Sequence, residues 1–431
     1  MRDFDTAMGK LRALRGKFEQ FLESAREKVA GEPNGPAPCS ARLQEVPAFG
    51  ANPGNLRMFA YVPKQLSAGA PLVVALHGCG QSAAEFDYGS GWSELADRFG
   101  FAVLYPEQQP ANNPKTCFSW FLPGDIARDR GEALSIRQMI AHALTTFDID
   151  EGKVFVAGLS AGGAMASVML ATYPEVFAGG AIIAGLPYGC AANAQQAFDA
   201  MFGDHVYSAT VLGNRVRAAS HHRGSWPKIS VWHGSADPIV KPANAENIVR
   251  QWCDVHGLAE LPSYETTIER HRRRVWTDTD GEPLIEAISV RGMGHGVPLA
   301  ATGEKSCGAA GAFFLDAGIS STYLIAQFWR LDERGAERSR APAKLPRPIQ
   351  GRAGADLTMK DIVEPNSGSE IPVAANAQSG ADTMFDPNRI IAAAFAAAGL
   401  PMFDTAPGAT PRVAAGPIIE AALKAAGLKR R

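Results

Sequence analysis

The stretch Val154–Ala166, VFVAGLSAGGAMA, restricts the fold more than any other part of the chain. Val154, Phe155, Val156 and Ala157 have strand character and lead without a break into Gly158-Leu159-Ser160-Ala161-Gly162. Small residues at helical spacing then continue through Met165, Ala166, Val168 and Met169. A G-x-S-x-G turn carries meaning only between a strand and a helix, and here it has both. A serine on so tight a turn is expected on strained backbone, and neighbouring backbones can approach only where flanking side chains are missing, as at Gly158 and Gly162. The following helix aims its unpaired N–H groups and the positive end of its dipole at the serine. A glycine-rich strand-to-helix turn without chemistry would show the same letters. The rest of the chain must therefore supply what a serine nucleophile needs.

A serine hydroxyl is a poor nucleophile near neutrality and needs a base, itself oriented by a third group. The G-x-S-x-G arrangement orders these partners as Ser, then Asp or Glu, then His. Downstream, Ile229–His233 reads as a strand running into Gly234-Ser235-Ala236-Asp237-Pro238-Ile239-Val240. Asp237 is thus expected in a turn at the carboxyl end of a strand, where open α/β sheets place their ligands. Asp-Pro also starts turns for local reasons, and the position after Ser160 decides for the acid. Of nine histidines, His295 follows the strand Ala287–Val290 directly, between Gly294 and Gly296, which free its loop to carry an imidazole over the sheet edge. His221, His222 and His271 read as solvated among arginines, and His233 as a brace of its own turn. An oxyanion hole needs two aimed backbone donors. The N–H of Ala161 is one candidate; the N–H of Cys79, in His77-Gly78-Cys79-Gly80 after the strand PLVVAL, is the other.

Around these points strand-like and helical runs alternate. Leu56–Val62, Pro71–His77 and Phe101–Tyr105 are expected strands, followed by a helix over Gly131–Phe147, the nucleophile strand and its helix, and further strands at Ala181–Ala184, Ile229–His233 and Ala287–Val290. An amphipathic helix over Ile319–Leu331 closes the unit. Near-continuous apolar strands separated by helices imply a mostly parallel sheet covered on both faces. The organisation expected is an N-terminal helix (residues 1–30, its pattern spanning 2–29), a Pro/Gly linker (31–41), a catalytic domain (42–331), a linker poor in large apolar residues (332–386) and two short helical segments (387–431). Those two repeat: Ile390–Leu400 matches Ile418–Leu428 at an offset of 28 residues, each ending in Gly-Leu. Helices this short are marginal alone and want a surface to lie on.

A net charge of −2 gives no electrostatic reason for nucleic acid, and no apolar run reaches the roughly 18 residues of a membrane span. The charged N-terminal stretch lacks the apolar core of a signal peptide, which favours a cytoplasmic chain. Nothing in the motifs calls for a metal or a cofactor.

HGCGQSAAEF, then NPKTCFSWFLPGDIARDRGEALSIRQMI, then VFVAGLSAGGAMASVMLATYPEVFAGGAIIAG resemble the polyhydroxybutyrate depolymerase family of esterases over about residues 45–331, and WHGSADPIV and GMGHGVP resemble its acid and histidine turns. The resemblance implies an α/β-hydrolase fold, Ser160, Asp237 and His295 as a triad, and action on short-chain polyhydroxyalkanoate esters or oligomers. Feruloyl and acetylxylan esterases are close relatives, so a carbohydrate-linked ester is the alternative substrate. Many members are secreted, which sets an extracellular location against the cytoplasmic one. A third reading makes the tail helices a coat on a hydrophobic granule or a docking site for a partner protein, with hydrolysis secondary; the complete triad argues against it as a sole function. Cys79 and Cys117 fall in the two motifs that flank the expected oxyanion side, so a disulfide staple is one reading, which a reducing cytosol would oppose. Beside Cys117, Phe118, Trp120 and Phe121 form an aromatic cluster, either core or, through Trp120, a wall of the substrate cleft.

Overall fold

The computed structural model describes residues 42–332 together with Gly16, Gln20 and Glu23. These three are helical, within the helix expected over 2–29. The rest of that helix, the 31–41 linker, all but the first residue of the 332–386 linker and both repeated tail segments lie outside the described residues.

The strands are β1 (Gln44–Glu45), β2 (Arg57–Tyr61), β3 (Ala70–Leu76), β4 (Ala102–Glu107), β5 (Ile149–Leu159), β6 (Gly179–Ile183), β7 (Lys228–Gly234), β8 (Tyr264–Ile268), β9 (His271–Thr277) and β10 (Pro283–Val290). They form one sheet in the order β1-β2-β4-β3-β5-β6-β7-β10-β9-β8. From β4 through β10 every neighbouring pair is parallel, while β1, β2, β9 and β8 pair antiparallel at the two margins. Two short strands, β11 (Val297–Leu299) and β12 (Phe314–Asp316), pair separately.

The unbroken apolar character of the central strands has the physical cause expected of it. Leu72, Val74 and Leu76 of β3, with Val154 and Val156 of β5, face one core, whereas Val73 and Ala75, with Phe155, Ala157 and Leu159, face the other. Alternate side chains of a strand point to opposite faces, so a strand covered on both sides must be apolar at every position. The first face is covered by α4 (Gly131–Thr146), α5 (Ala161–Thr172), α6 (Ala194–Phe202), α7 (Ala209–Ala219) and α8 (Ala243–His256). The second is covered by α1 (Ala83–Ser90), α2 (Trp92–Phe99) and α9 (Ser321–Phe328); α3 (Pro123–Ile126) is a single turn before α4. Helix α5 is buried along its whole length, which accounts for its uniformly small and apolar residues. No helix among the described residues is long and apolar enough to cross a membrane.

Several elements went unread in the sequence. Helix α1 begins with a capping box in which the Ser82 hydroxyl accepts the Glu85 N–H and the Glu85 carboxylate accepts the Ser82 N–H. The β8–β9 hairpin hides behind three consecutive arginines, two of which, Arg272 and Arg274, pair outward with Glu265 and Glu246. His271, expected to be solvated, is instead only 1% exposed. Its Nδ1 accepts the Arg291 N–H at 3.1 Å and its Nε2 donates to the Ala317 carbonyl at 3.1 Å. Both ring nitrogens are therefore spent on structure. The closing helix is shorter than its amphipathic pattern: Ser320 caps it by accepting the Tyr323 N–H, and it ends at Phe328.

Candidate active site

Ser160 sits between β5 and α5 with φ 56° and ψ −115°, a backbone region that side-chain-bearing residues rarely occupy. The surroundings hold it there. Its N–H donates to the Ile183 carbonyl at 2.9 Å, and its own carbonyl accepts the Ala164 N–H at 2.8 Å to start α5. A Cβ on Gly158 would come within 2.2 Å of the Gly162 oxygen, and one on Gly162 within 2.2 Å of the Leu76 oxygen. Both glycines are sterically required. The second contact shows why: the serine turn packs directly on the end of β3, where the Cys79 loop begins. The Ser160 hydroxyl does not cap the helix.

The expected acid and base meet. Asp237 leaves the end of β7 and His295 the end of β10, and these strands are parallel neighbours. The Asp237 carboxylate lies 2.7 Å from His295 Nδ1 through Oδ2. Its Oδ1 accepts the N–H groups of Ile239 and Val240 at 2.9 and 3.0 Å. The two loops are tied by backbone as well: the Ser235 N–H donates to Val290, the Ala236 N–H to Met293, and the Gly292 N–H to the Ser235 hydroxyl. A Cβ on Gly234 would strike the Met293 and Gly294 carbonyls at 2.3 Å. Burial works to raise the Asp237 carboxyl, but His295 and His233 outweigh it and hold the group well below the usual carboxylate range. His233 braces this turn, with its Nε2 donating to the Val240 carbonyl at 2.7 Å.

On the other side of Ser160, the loop after β3 is shaped by a buried histidine. His77 Nδ1 donates to the Gly78 carbonyl at 2.8 Å, and its Nε2 accepts the Gln108 N–H at 3.0 Å. Burial pushes this imidazole down to about 4, so it is neutral and structural. The Gly78 N–H donates to Gln81 Oε1, and the Gly80 N–H to the Lys115 carbonyl. Among the described residues neither the Cys79 N–H nor the Ala161 N–H donates to a protein acceptor. Cys79 and Cys117 form a disulfide with their Cα atoms 4.2 Å apart, so the loop after β3 is covalently joined to the 113–121 segment. Trp120 of that segment is 6% exposed, joins the first-face core and meets Phe121 edge-on.

A cavity of about 280 Å³ lies along β7, β9 and β10 beside α9, among Lys228, Arg273, Glu282, Glu286, Phe328 and Arg330. Its charges pair with one another, Lys228 and Arg330 on Glu282 and Arg273 on Glu286. Ligands of open α/β sheets bind at the carboxyl ends of the strands, and that is the end that carries Ser160, Asp237 and His295.

Sequence reasoning passed over two side chains here, Gln108 and Glu132. The usable signal was that Gln108 directly follows β4 at the same end of the sheet, and that Glu132 is the acid in the first turn of α4.

Comparison with known proteins agrees with this architecture. A family model described as esterase PHB depolymerase matches residues 58–272. The chain is 47% identical to poly(3-hydroxyalkanoate) depolymerase C of Paucimonas lemoignei, over 67% of this chain and 70% of that one. It is 34% identical to an acetylxylan esterase of Coprinopsis cinerea, over 63% and 73% respectively. Among solved structures, an acetyl xylan esterase from Aspergillus awamori matches with a TM-score of 0.55 at 28% identity, covering 59% of this chain and 93% of that one. The family match ends before His295, so the contact of that residue with Asp237 stands on geometry.

Proposed function

This chain belongs to the esterase PHB depolymerase family and is a carboxylic ester hydrolase of the α/β-hydrolase fold, and from that premise we propose that Ser160, Asp237 and His295 are its catalytic triad. The observation that carries the reading is the 2.7 Å contact between Asp237 Oδ2 and His295 Nδ1 at the same sheet end as the strained Ser160. Ser160 Oγ attacks the ester carbonyl carbon as His295 Nε2 takes the hydroxyl proton. Asp237 holds the imidazole with its proton on Nδ1 and stabilises the imidazolium that forms. The N–H groups of Cys79 and Ala161 receive the oxyanion, with Ala161 at the positive end of α5. Collapse of the tetrahedral adduct breaks the C–O bond, and the imidazolium returns its proton to the departing alcohol. Water then repeats the sequence on the acyl-enzyme, releasing the acid and restoring Ser160.

The substrate proposed is a short-chain poly(3-hydroxyalkanoate) or its oligomers. The reading is supported by the higher identity to the depolymerase, 47%, than to the acetylxylan esterase, 34%. Trp120, on the segment bridged to Cys79, is proposed to bound the acyl pocket. The test is a panel of p-nitrophenyl butyrate, 3-hydroxybutyrate oligomers, amorphous polymer granules and methyl ferulate. Turnover of oligomers or granules with methyl ferulate left intact supports the polyester; the reverse assigns a carbohydrate-linked ester. A further proposal rests on the repeated tail. Ile390, Ile391, Phe395, Ile418, Ile419 and Leu423 fall at helical spacing as an apolar anchor to a granule or a partner chain. Truncation after Leu331 is then expected to spare soluble esters and reduce co-sedimentation with granules or association with another chain.

A further inference from the structure

We propose that Glu132 is a positioning residue for ester hydrolysis, the fixed acceptor that keeps both disulfide-linked loops of the oxyanion side in register with Ser160; this rests on the assignment of the Cys79 N–H to the oxyanion hole. Glu132 lies in the first turn of α4, is 2% exposed, and its side-chain hydrogen bonds go to Ser119 and Gln108 rather than to any of the three triad residues. One oxygen, Oε2, accepts the Ser119 N–H at 2.8 Å, and the other, Oε1, accepts the Gln108 Nε2–H at 2.6 Å. From there a continuous chain of hydrogen bonds reaches the oxyanion loop. The Gln108 N–H donates to His77 Nε2, and His77 Nδ1–H donates to the Gly78 carbonyl, one residue before Cys79. Gln108 Nε2 also reaches the Cys117 carbonyl at 3.3 Å. The one carboxylate thus holds the 117–119 segment directly and the 77–79 segment through Gln108 and His77, on both sides of the Cys79–Cys117 bridge.

The ionised carboxylate suits this place, where the Ser119 N–H and hydroxyl and the Gln108 amide all hydrogen-bond to it. Both of its main partners are N–H donors, so a protonated oxygen would face a donor with a donor. Gln108 cannot turn to help, because its own Oε1 already accepts the Gln109 N–H and the Asn112 side-chain amide. An amide at position 132 would fail in the same way, satisfying one partner and opposing the other. Burial raises the Glu132 carboxyl to about 7, with the Ser119 and Gln108 hydrogen bonds pulling it down and Asp125 pushing it further up. The charged groups that face it are few. Asp125, from α3, is the charged group that acts on it, and the 117–121 segment and the 52–55 turn add no titratable group beyond the bridged Cys117. The oxyanion side therefore loosens as the pH falls through the neutral range, on top of the acid limb that any general base gives.

The test uses the full chain with its disulfide intact, p-nitrophenyl butyrate as substrate, and kcat and KM measured from pH 5.5 to 9. In the wild type, log kcat is expected to fall by more than one decade per pH unit over part of the acid limb, because two groups protonate. Glu132→Gln is expected to lower kcat about 10- to 100-fold at pH 8, less than the roughly 100- to 1,000-fold of losing one oxyanion donor outright. KM should stay within about 3-fold, and the acid limb should become single-proton. Glu132→Asp, which keeps the charge, should recover part of kcat and the steeper limb. An acid limb of one decade per unit in the wild type overturns the proposal without any variant. So does a Glu132→Gln enzyme with wild-type kcat at every pH, or one whose loss is independent of pH and follows thermal stability. Mapping of a serine-directed organophosphate separates the two readings: a label on Ser160 with an unchanged pH profile removes only Glu132, whereas a label elsewhere removes the triad.

Discussion

The two sides of Ser160 are built by different means. On the base side, the loops after β7 and β10 interlock through backbone hydrogen bonds and a glycine contact that no side chain could share, and they enclose a buried carboxylate–imidazole pair. On the side proposed to receive the oxyanion, the loops after β3 and around Cys117 carry none of the three proposed triad side chains. They are held by a disulfide and by the hydrogen bonds of a buried glutamate. The difference follows from the work proposed for each. The base side must move a proton, so it needs a titrating pair whose partner stays ionised. The oxyanion side only has to present N–H groups at a fixed place, and for that a disulfide and a buried acceptor serve.

The largest difference between the two sides should appear when each is broken in turn. Asp237→Asn leaves the packing of the turn nearly isosteric but removes the acceptor that fixes the His295 tautomer. kcat is expected to fall by roughly 10⁴-fold with a near-native circular dichroism spectrum, the scale reached when such an acid is neutralised. A loss below about tenfold would show that Asp237 does not orient the base.

Breaking the other side should act first on stability. The Cys79–Cys117 bridge closes a loop with a sequence separation of 38, and loop-closure entropy makes such a link worth about 4 kcal/mol in the chain-entropy picture. Cys79→Ser with Cys117→Ser is therefore expected to lower the unfolding free energy by up to that amount, measured by urea denaturation. The kcat loss should be smaller than that of Asp237→Asn, because the Glu132 hydrogen bonds remain. A double variant as stable as the wild type would remove the staple from the account.

The smallest effect concerns acid stability. The folded-state pKa of Asp237 is depressed, so its contribution is present above its unfolded value of about 3.9 and is lost as the pH falls through the lower folded value. Below about pH 4 the wild type should lose Tm more steeply than Asp237→Asn. Parallel curves would mean that the pair adds nothing to stability.

How legible the molecule was in its sequence also divides between the two sides. The placement of Ser160, Asp237 and His295 at one end of the sheet was readable because each follows an apolar strand, and Gly158 and Gly162 mark the close approaches that the serine turn demands. The parallel sheet was readable because strands buried on both faces leave no polar positions. The hairpin β8–β9 was not, since Arg272, Arg273 and Arg274 mask its alternation, and His271 was misplaced with it. Glu132 was illegible for another reason. An acid in the first turn of a helix has an ordinary local explanation in the helix dipole, and only the fold brings it beside Ser119 and Gln108. The Cys79–Cys117 link was open in the sequence because spacing alone does not choose among six cysteines.

The central claim is that ester hydrolysis runs through a covalent adduct on Ser160. The most direct measurement is peptide mapping by mass spectrometry after inactivation with a serine-directed organophosphate, alongside turnover by Ser160→Ala. The account predicts one label, on the peptide containing Ser160, in proportion to lost activity, and a variant slower by roughly 10³- to 10⁶-fold. A label on another serine, or a Ser160→Ala enzyme that retains wild-type turnover, would contradict it.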